Sequence, residues 1–428
     1  MKKLIQLSGI LIFLSVILTL YSYFIELKYL VYAGMLLWFS FFILFFTLNK
    51  KKMIIILFIL SIILFGVSYV NSYAIDIKKI LTINQYLITL LISISFLRLI
   101  PVTKSDNYTI QAKGKKSFVL TYFSVFIFSS VINMSALILI ADKLFEKRSF
   151  FDSKIKLLTR SFASNAYWSP FFVSFAAASI YAPSLNIYLV LLSGLTLAMV
   201  AFFLTYYEVI KNEHVNIDNF IGYPLTFSNF ILPCLLAFLV LLTHFLYFDA
   251  KVIVLISLFS LIISFGYLII KEGIFQTKNR HISHIAKELP KMKGEISLFL
   301  VAGMFGVSVS SILMGLNLPL PFDTFDWMGA SVLLLVFIVL GFIGIHPIIT
   351  IAIISQYLTQ VNNTLLAVTF LMGWATTVST SPFSGLNLTM ASKYNIDSKK
   401  IFHLNIWYSL KIYFVSVFLL YVLSKYLN

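Results

Sequence analysis

Thr376-Thr377-Val378-Ser379-Thr380-Ser381-Pro382-Phe383-Ser384-Gly385-Leu386-Asn387 interrupts an apolar segment in the second half of the chain. Ala163-Ser164-Asn165-Ala166-Tyr167-Trp168-Ser169-Pro170-Phe171 repeats its grammar in the first half. Each stretch sets small hydroxyl and amide residues around a Ser-Pro-Phe. Proline cannot donate the helical hydrogen bond and disfavours a helical residue before it, so each segment should break there, with nearby hydroxyls taking over the freed backbone groups. Irregular backbone at bilayer depth is tolerated only where it is buried in protein or lines a cavity.

Bilayer depth follows from composition. The 428 residues are 60% hydrophobic, 17% aromatic and 11% charged, with a mean hydropathy of +0.97, which excludes a soluble globular domain. The apolar runs are continuous, without the alternation of a membrane β-barrel. The fold class is therefore an all-α polytopic membrane protein. Leu4 to Phe24 follows Lys2 and Lys3 as a signal peptide would, but it is too long for a signal core and lacks a small-residue cleavage site, so it reads as a retained first helix. The lone Cys234 excludes a disulfide framework and a thiolate metal cluster. A net charge of +16 could suggest nucleic acid, but its distribution marks topology instead.

Ordinary spans are expected near 4–24, 29–48, 53–73, 81–99, 186–205, 225–248, 251–270, 296–317 and 402–424, each close to the ~20 residues a bilayer requires. The broken segments occupy about 157–182 and 363–392. Two further runs resist a simple count. The run 118–141 carries Ser129, Ser130, Asn133 and Ser135 at its centre, and 328–358 is interrupted by Gly344-Ile345-His346-Pro347. If both are re-entrant hairpins, every loop acquires a side. With the N-terminus inside, 26 basic residues fall in cytoplasmic segments and 5 outside, with Lys411 in the last span, as the positive-inside rule requires. If the first run were instead a full span, the six from Lys143 to Arg160 would move outside. The expected layout is about 11 transmembrane helices plus two hairpins in an inverted repeat: 1–28 a first helix, 29–205 the first repeat and 206–428 the second. His281 and His284, in the 271–295 connector, read as solvated loop residues rather than metal ligands, because no carboxylate or cysteine completes a set.

In this order and spacing the chain resembles the ion transporter superfamily, which includes divalent-anion/sodium symporters, arsenite pumps, sodium/proton antiporters and the large membrane subunits of tripartite dicarboxylate transporters. Ser130-Val131-Ile132-Asn133-Met134-Ser135 resembles the first hairpin tip and Gly344-Ile345-His346-Pro347-Ile348-Ile349-Thr350 the second, while Ser381 to Leu388 is similar to the second broken helix of the tripartite subunits. The likeness covers nearly the whole chain in layout but only about four short motifs in residues. It departs at Ile132, where antiporters and arsenite pumps carry an acid, and at Ala166 and Tyr167, where glycines or threonines are usual.

No expected span contains an aspartate or glutamate. Cation carriers and proton antiporters normally need one, so a site built of hydroxyls, amides and helix termini suits an anion, with sodium held by unwound carbonyls and Ser and Asn oxygens. The candidate site residues are Ser130, Asn133, Ser135, Ser164, Asn165, Ser169, His346, Thr350, Thr380, Ser381, Ser384 and Asn387. Isolated hydroxyls in membrane helices more often bond back to their own helix, so the clusters carry the argument. His244, His403 and Lys411 suit packing or snorkelling, and Trp168, Trp374 and Trp407 suit packing or interfacial anchoring.

The expected function is a secondary transporter of a small anion, a di- or tricarboxylate, in the cytoplasmic membrane, with the C-terminus external. Membrane lipids and the anion are its partners, nucleic acid is not, and a homodimer stays open. No enzymatic or cofactor motif is present, and sodium is the candidate coupling ion. The rivals are a cation/proton antiporter or oxyanion efflux permease, which the missing carboxylates disfavour, and a membrane glycan polymerase or ligase, which would need a long external loop bearing arginines and a histidine.

Overall fold

The structure is a computed structural model and describes residues 2–48, 52–100, 112–146, 151–211, 217–224, 228–247, 250–316, 325–358 and 361–427. Lys50, Lys51, Lys104, Lys147, Arg148, Asp249 and Asp323 lie outside the described residues. Runs this long and apolar satisfy their backbone groups internally as helices. No strand occurs among the described residues, only an isolated bridge from Lys113 to Ile221.

The helices are, in order, α1 (Lys2–Phe24), α2 (Tyr29–Phe45), α3 (Lys52–Val70), α4 (Ile77–Thr82), α5 (Gln85–Ser95), α6 (Gly114–Ile132), α7 (Met134–Phe145), α8 (Phe151–Ala163), α9 (Val173–Tyr181) and α10 (Ile187–Ile210). The chain continues with α11 (Ser228–Leu246), α12 (Val252–Ser283), α13 (Lys293–Leu316), α14 (Trp327–Phe342), α15 (Pro347–Tyr357), α16 (Asn363–Thr380), α17 (Gly385–Tyr394) and α18 (Ser398–Leu427). Among the described residues, eight helical segments are long and apolar enough to cross a membrane. The chain is a helical membrane protein.

It divides into two compact units. Unit 1 comprises 1–100, 238–323 and 348–360; unit 2 comprises 101–237, 324–347 and 361–428. In unit 1, α1 packs along α2, α3 on α13 and α5 on α12. Its buried polar groups tie helices together: Gln85 Nε2 donates to Ser15 at 2.6 Å and Thr19 at 2.9 Å, and Asn84 Nδ2 to the Phe299 carbonyl at 2.7 Å. The chain beyond residue 270 is not a solvated loop, as the sequence reading had it. α12 runs on to Ser283 through a kink at Gly273, whose φ of 80° only glycine adopts readily. His281 and His284 are buried there. His281 stacks on Phe265 at 3.6 Å between centroids, and His284 Nε2 lies 2.9 Å from the Ser95 hydroxyl. Flat rings with two polar nitrogens pack well once each nitrogen finds a partner.

Unit 2 holds both broken segments, 157–182 and 363–392. α14 and α18 flank α16, and α9, α10 and the turn Ser164–Tyr167 pack on it as well. The first proposed hairpin is two helices, α6 and α7, meeting at Asn133, where φ is 60° and ψ −137°. Asparagine tolerates such positive φ better than most residues. α6 has 19 residues and is itself long enough to cross a membrane. The other run separates at Gly344, φ 94°, into α14 of unit 2 and α15, which apart from Pro347 belongs to unit 1.

Candidate functional site

Pro170 has no N–H for the Ala166 carbonyl, and Pro382 has none for the Val378 carbonyl. Both orphans are taken over by serines beyond the break. Ser174 Oγ donates to Ala166 O at 3.0 Å and Ser384 Oγ to Val378 O at 2.9 Å. The serine before each proline does a second, matched job. Ser169 Oγ donates to the Ser130 carbonyl at 2.7 Å and accepts from Phe171 N at 3.3 Å; Ser381 Oγ donates to the Gly341 carbonyl at 2.6 Å and accepts from Phe383 N at 3.2 Å. Each break is thus pinned to the last turn of a helix about 40 residues earlier in the chain, α6 or α14. The same four-group arrangement occurs twice in unit 2.

The hydroxyls of Ser169, Ser381 and Ser384 are consumed by this scaffolding. Ser164 Oγ likewise donates to Arg160 O at 2.7 Å and lies 3.3 Å from the Tyr122 hydroxyl; Ser130 Oγ donates to Ile127 O at 2.7 Å. Thr380 is fully buried, 3.3 Å from Ser379 Oγ. The two breaks are brought together: α16 packs on α9 and on the turn Ser164–Tyr167, and the Tyr167 hydroxyl lies 3.2 Å from Thr376 Oγ1. Asn133 and Ser135 are half-buried at the α6–α7 junction, and His346 is half-buried with its ring edge-on to Trp374 at 5.2 Å. Thr350 belongs to unit 1.

Buried side-chain atoms without a hydrogen-bond partner occur among the described residues of both units, Gln85 Oε1, Thr89 Oγ1 and Ser93 Oγ in unit 1 among them. Among the described residues of unit 2, the buried side-chain atoms lacking any hydrogen bond are Ser129 Oγ, Asn165 Oδ1, Trp168 Nε1, Asn387 Oδ1 and Ser416 Oγ. Four of these five sit at the α6 end or in the two breaks. Native interiors rarely leave such groups unsatisfied. Asn387 is held so that its oxygen stays free, because its Nδ2 donates to Ser379 O at 3.2 Å and Ser381 O at 2.9 Å. Asn165 carries only a long 3.5 Å bond from Nδ2 to Ser161 O. The two breaks therefore offer two carboxamide oxygens to a positive charge. Trp168 offers an N–H donor to a negative one. α9 has Phe172 before its first residue and no side-chain cap, whereas Ser384 caps α17, so the α9 N-terminus is the better placed of the two for an anion.

Glu208 lies in the last turn of α10, Glu295 in the first turn of α13 and Glu272 in the part of α12 beyond residue 270, all outside the expected spans. Arg160, counted among solvated cytoplasmic charges, is fully buried in α8. It donates from Nη1 to Glu208 at 2.8 Å, from Nη2 to Leu404 O at 2.8 Å and from Nε to Asn405 Oδ1 at 2.8 Å, and stands 4.3 Å from the centre of the Tyr408 ring. Lys156 shares Glu208 at 2.6 Å, and the buried Lys154 donates to Leu144 O at 2.6 Å. Sequence reasoning missed Trp168, Arg160, Glu208 and Asn405. Trp168 alone carried a signal, its place beside Ser169-Pro170.

No protein-family model matches this chain, and no curated protein matches it.

Proposed function

We propose that the chain is a secondary active transporter of the cytoplasmic membrane that moves a small anion, a di- or tricarboxylate, with sodium as coupling ion, by alternating access, and that unit 2 carries the binding site. The observation that carries this reading is that each break holds an unpartnered buried carboxamide oxygen, with an unpartnered indole N–H in the first. Asn165 Oδ1 and Asn387 Oδ1 are acceptors that a desolvated sodium ion would satisfy, and Trp168 Nε1 is a donor that a carboxylate would satisfy. A site with both signs of complement suits an anion travelling with a cation. The doubled serine pins support an inverted repeat relating the halves. Glu208, shared by Arg160 and Lys156, is poorly suited to carry protons, because two cations favour its ionised form, and this counts against the antiporter reading. The layout remains eleven spans and two hairpins with the N-terminus inside.

The test is uptake of labelled succinate and citrate into proteoliposomes under a sodium gradient, together with thermal shifts of the purified protein in sodium chloride against choline chloride. Asn165→Ala and Asn387→Ala should abolish sodium-driven uptake while the protein remains folded. Wild-type transport in both variants would remove this site, and the absence of any response to sodium or carboxylates in the native protein would remove the function.

A further inference from the structure

Asn405 sits on α18 and belongs to neither break, yet it reaches into the second. Its Nδ2 donates to Ser379 O at 3.1 Å, with Thr159 Oγ1 at 3.2 Å and Ile401 O at 3.1 Å also in range. The Ser379 carbonyl is the group that would have accepted from Phe383 N in a continuous helix. Phe383 N instead bonds Ser381 Oγ, so Ser379 O is held by two side-chain amides, Asn387 Nδ2 and Asn405 Nδ2. A carbonyl has two lone pairs and can accept both.

An asparagine amide can be turned either way round, and which end faces Ser379 decides whether it supports the break or repels it. Arg160 makes that choice. A guanidinium has only donors, so its Nε, 2.8 Å from Asn405, requires the oxygen end and leaves the nitrogen end for Ser379. Arg160 is in turn fixed on its other nitrogens by Glu208 and Leu404 O. Arg160, Asn405, Ser379 and Asn387 are buried, and the Glu208 side chain is 27% exposed.

We propose that Asn405 is a positioning residue for the ligand site, oriented by the buried guanidinium of Arg160, and that it fixes the Ser379 carbonyl so that Asn387 spends its amide nitrogen there and presents its oxygen to the coupling cation. This rests on the reading of the breaks as the ligand site. The chain of contacts runs Arg160, Asn405, Ser379, Asn387, and its end effect is on cation affinity rather than on the fold.

The experiment uses the full-length protein in nanodiscs, with hydrogen exchange by mass spectrometry and thermal-shift titration with sodium chloride against choline chloride. Asn405→Asp keeps an acceptor for Arg160 but turns the donor facing Ser379 into a second acceptor, which stays ionised beside the guanidinium. Arg160→Lys keeps the charge near Glu208 but loses the Nε donor. Lys156→Gln removes Glu208's other cation and touches nothing in the chain of contacts. In Asn405→Asp, amides 383–388 should exchange about tenfold faster and half-maximal sodium should rise about tenfold, the equivalent of one lost hydrogen bond. Amides 171–176 of the first break should be unchanged. Arg160→Lys should reproduce the pattern more weakly, and it decides the matter if Asn405→Asp does not fold. Wild-type exchange and sodium response in the deciding variant overturns the proposal, as does an equal effect in Lys156→Gln. If native protein shows no sodium response but exchange still quickens at 383–388 alone, the positioning role stands and the cation reading falls.

Discussion

Replacing Ser381 by alanine removes one oxygen and two hydrogen bonds. The Gly341 carbonyl loses its 2.6 Å donor but keeps the Gly344 N–H at 3.1 Å, and the part-buried Phe383 N–H loses its 3.2 Å acceptor. A net hydrogen bond contributes about 1 kcal/mol, so the substitution should destabilise unit 2 by about 1–2 kcal/mol. Ser169→Ala removes the matching bonds to Ser130 O and Phe171 N and should cost about the same. The assay is unfolding of each variant in mixed micelles of mild detergent and dodecyl sulfate, read by tryptophan fluorescence, with Ser392→Ala as a comparison because Ser392 is exposed. The pairing of the two values is the stronger half of the prediction. A loss below about 0.5 kcal/mol in both, within the range of ordinary surface substitutions, would mean that the breaks hold themselves and that the serines are incidental. A large loss in one alone would refute their equivalence.

Asn165→Ala removes an unpaired buried oxygen, so the sodium-free protein should be as stable as wild type or more so, while its stabilisation by sodium disappears in a thermal-shift titration. Arg160→Met leaves Glu208 in a largely buried setting and should cost near the lower end of roughly 3–5 kcal/mol, since Lys156 stays to neutralise it; unfolding in mixed micelles reads this, and an unchanged midpoint would contradict the paired geometry. His346→Gln should leave sodium-driven uptake intact, measured in proteoliposomes under separate sodium and proton gradients. Cysteines at Lys113 and Glu146, which flank the run 118–141, should both react with impermeant maleimide from the cytoplasmic side only, and labelling of the Glu146 position from outside would overturn the hairpin topology.

The rule that a proline frees the carbonyl four residues earlier was enough to expect hydroxyls at both breaks, and Ser174 on Ala166 and Ser384 on Val378 meet it. That part is local, so sequence carries it. The serine pins reach back 39 and 40 residues, and only the repetition of Ser-Pro-Phe hinted at them. Arg160 could not be read. In a row of basic residues it looks like a topology signal, and its partners lie 48 residues away at Glu208 and 245 away at Asn405, where pairing depends on how α8, α10 and α18 pack. His281 and His284 misled for a related reason, since a polar stretch after a span resembles a loop until a kink at Gly273 folds it back against Phe265 and Phe96. Asn387 and Asn165 were legible as polar residues in an apolar setting, but not that their oxygens would be left over.

Gly194 on α10 faces the first break so closely that a Cβ there would collide with the Tyr167 carbonyl and the Trp168 side chain, and Gly341 meets Thr377 of the second broken helix in the same way. Unwound backbone ordinarily has room to wander, and a ligand must then arrest it, losing affinity to the arrest. Here bare helix surfaces press on both broken elements before anything binds. A ligand at Asn165 or Asn387 would find its coordinating groups already immobilised, and its binding energy would go into contact rather than into ordering the chain.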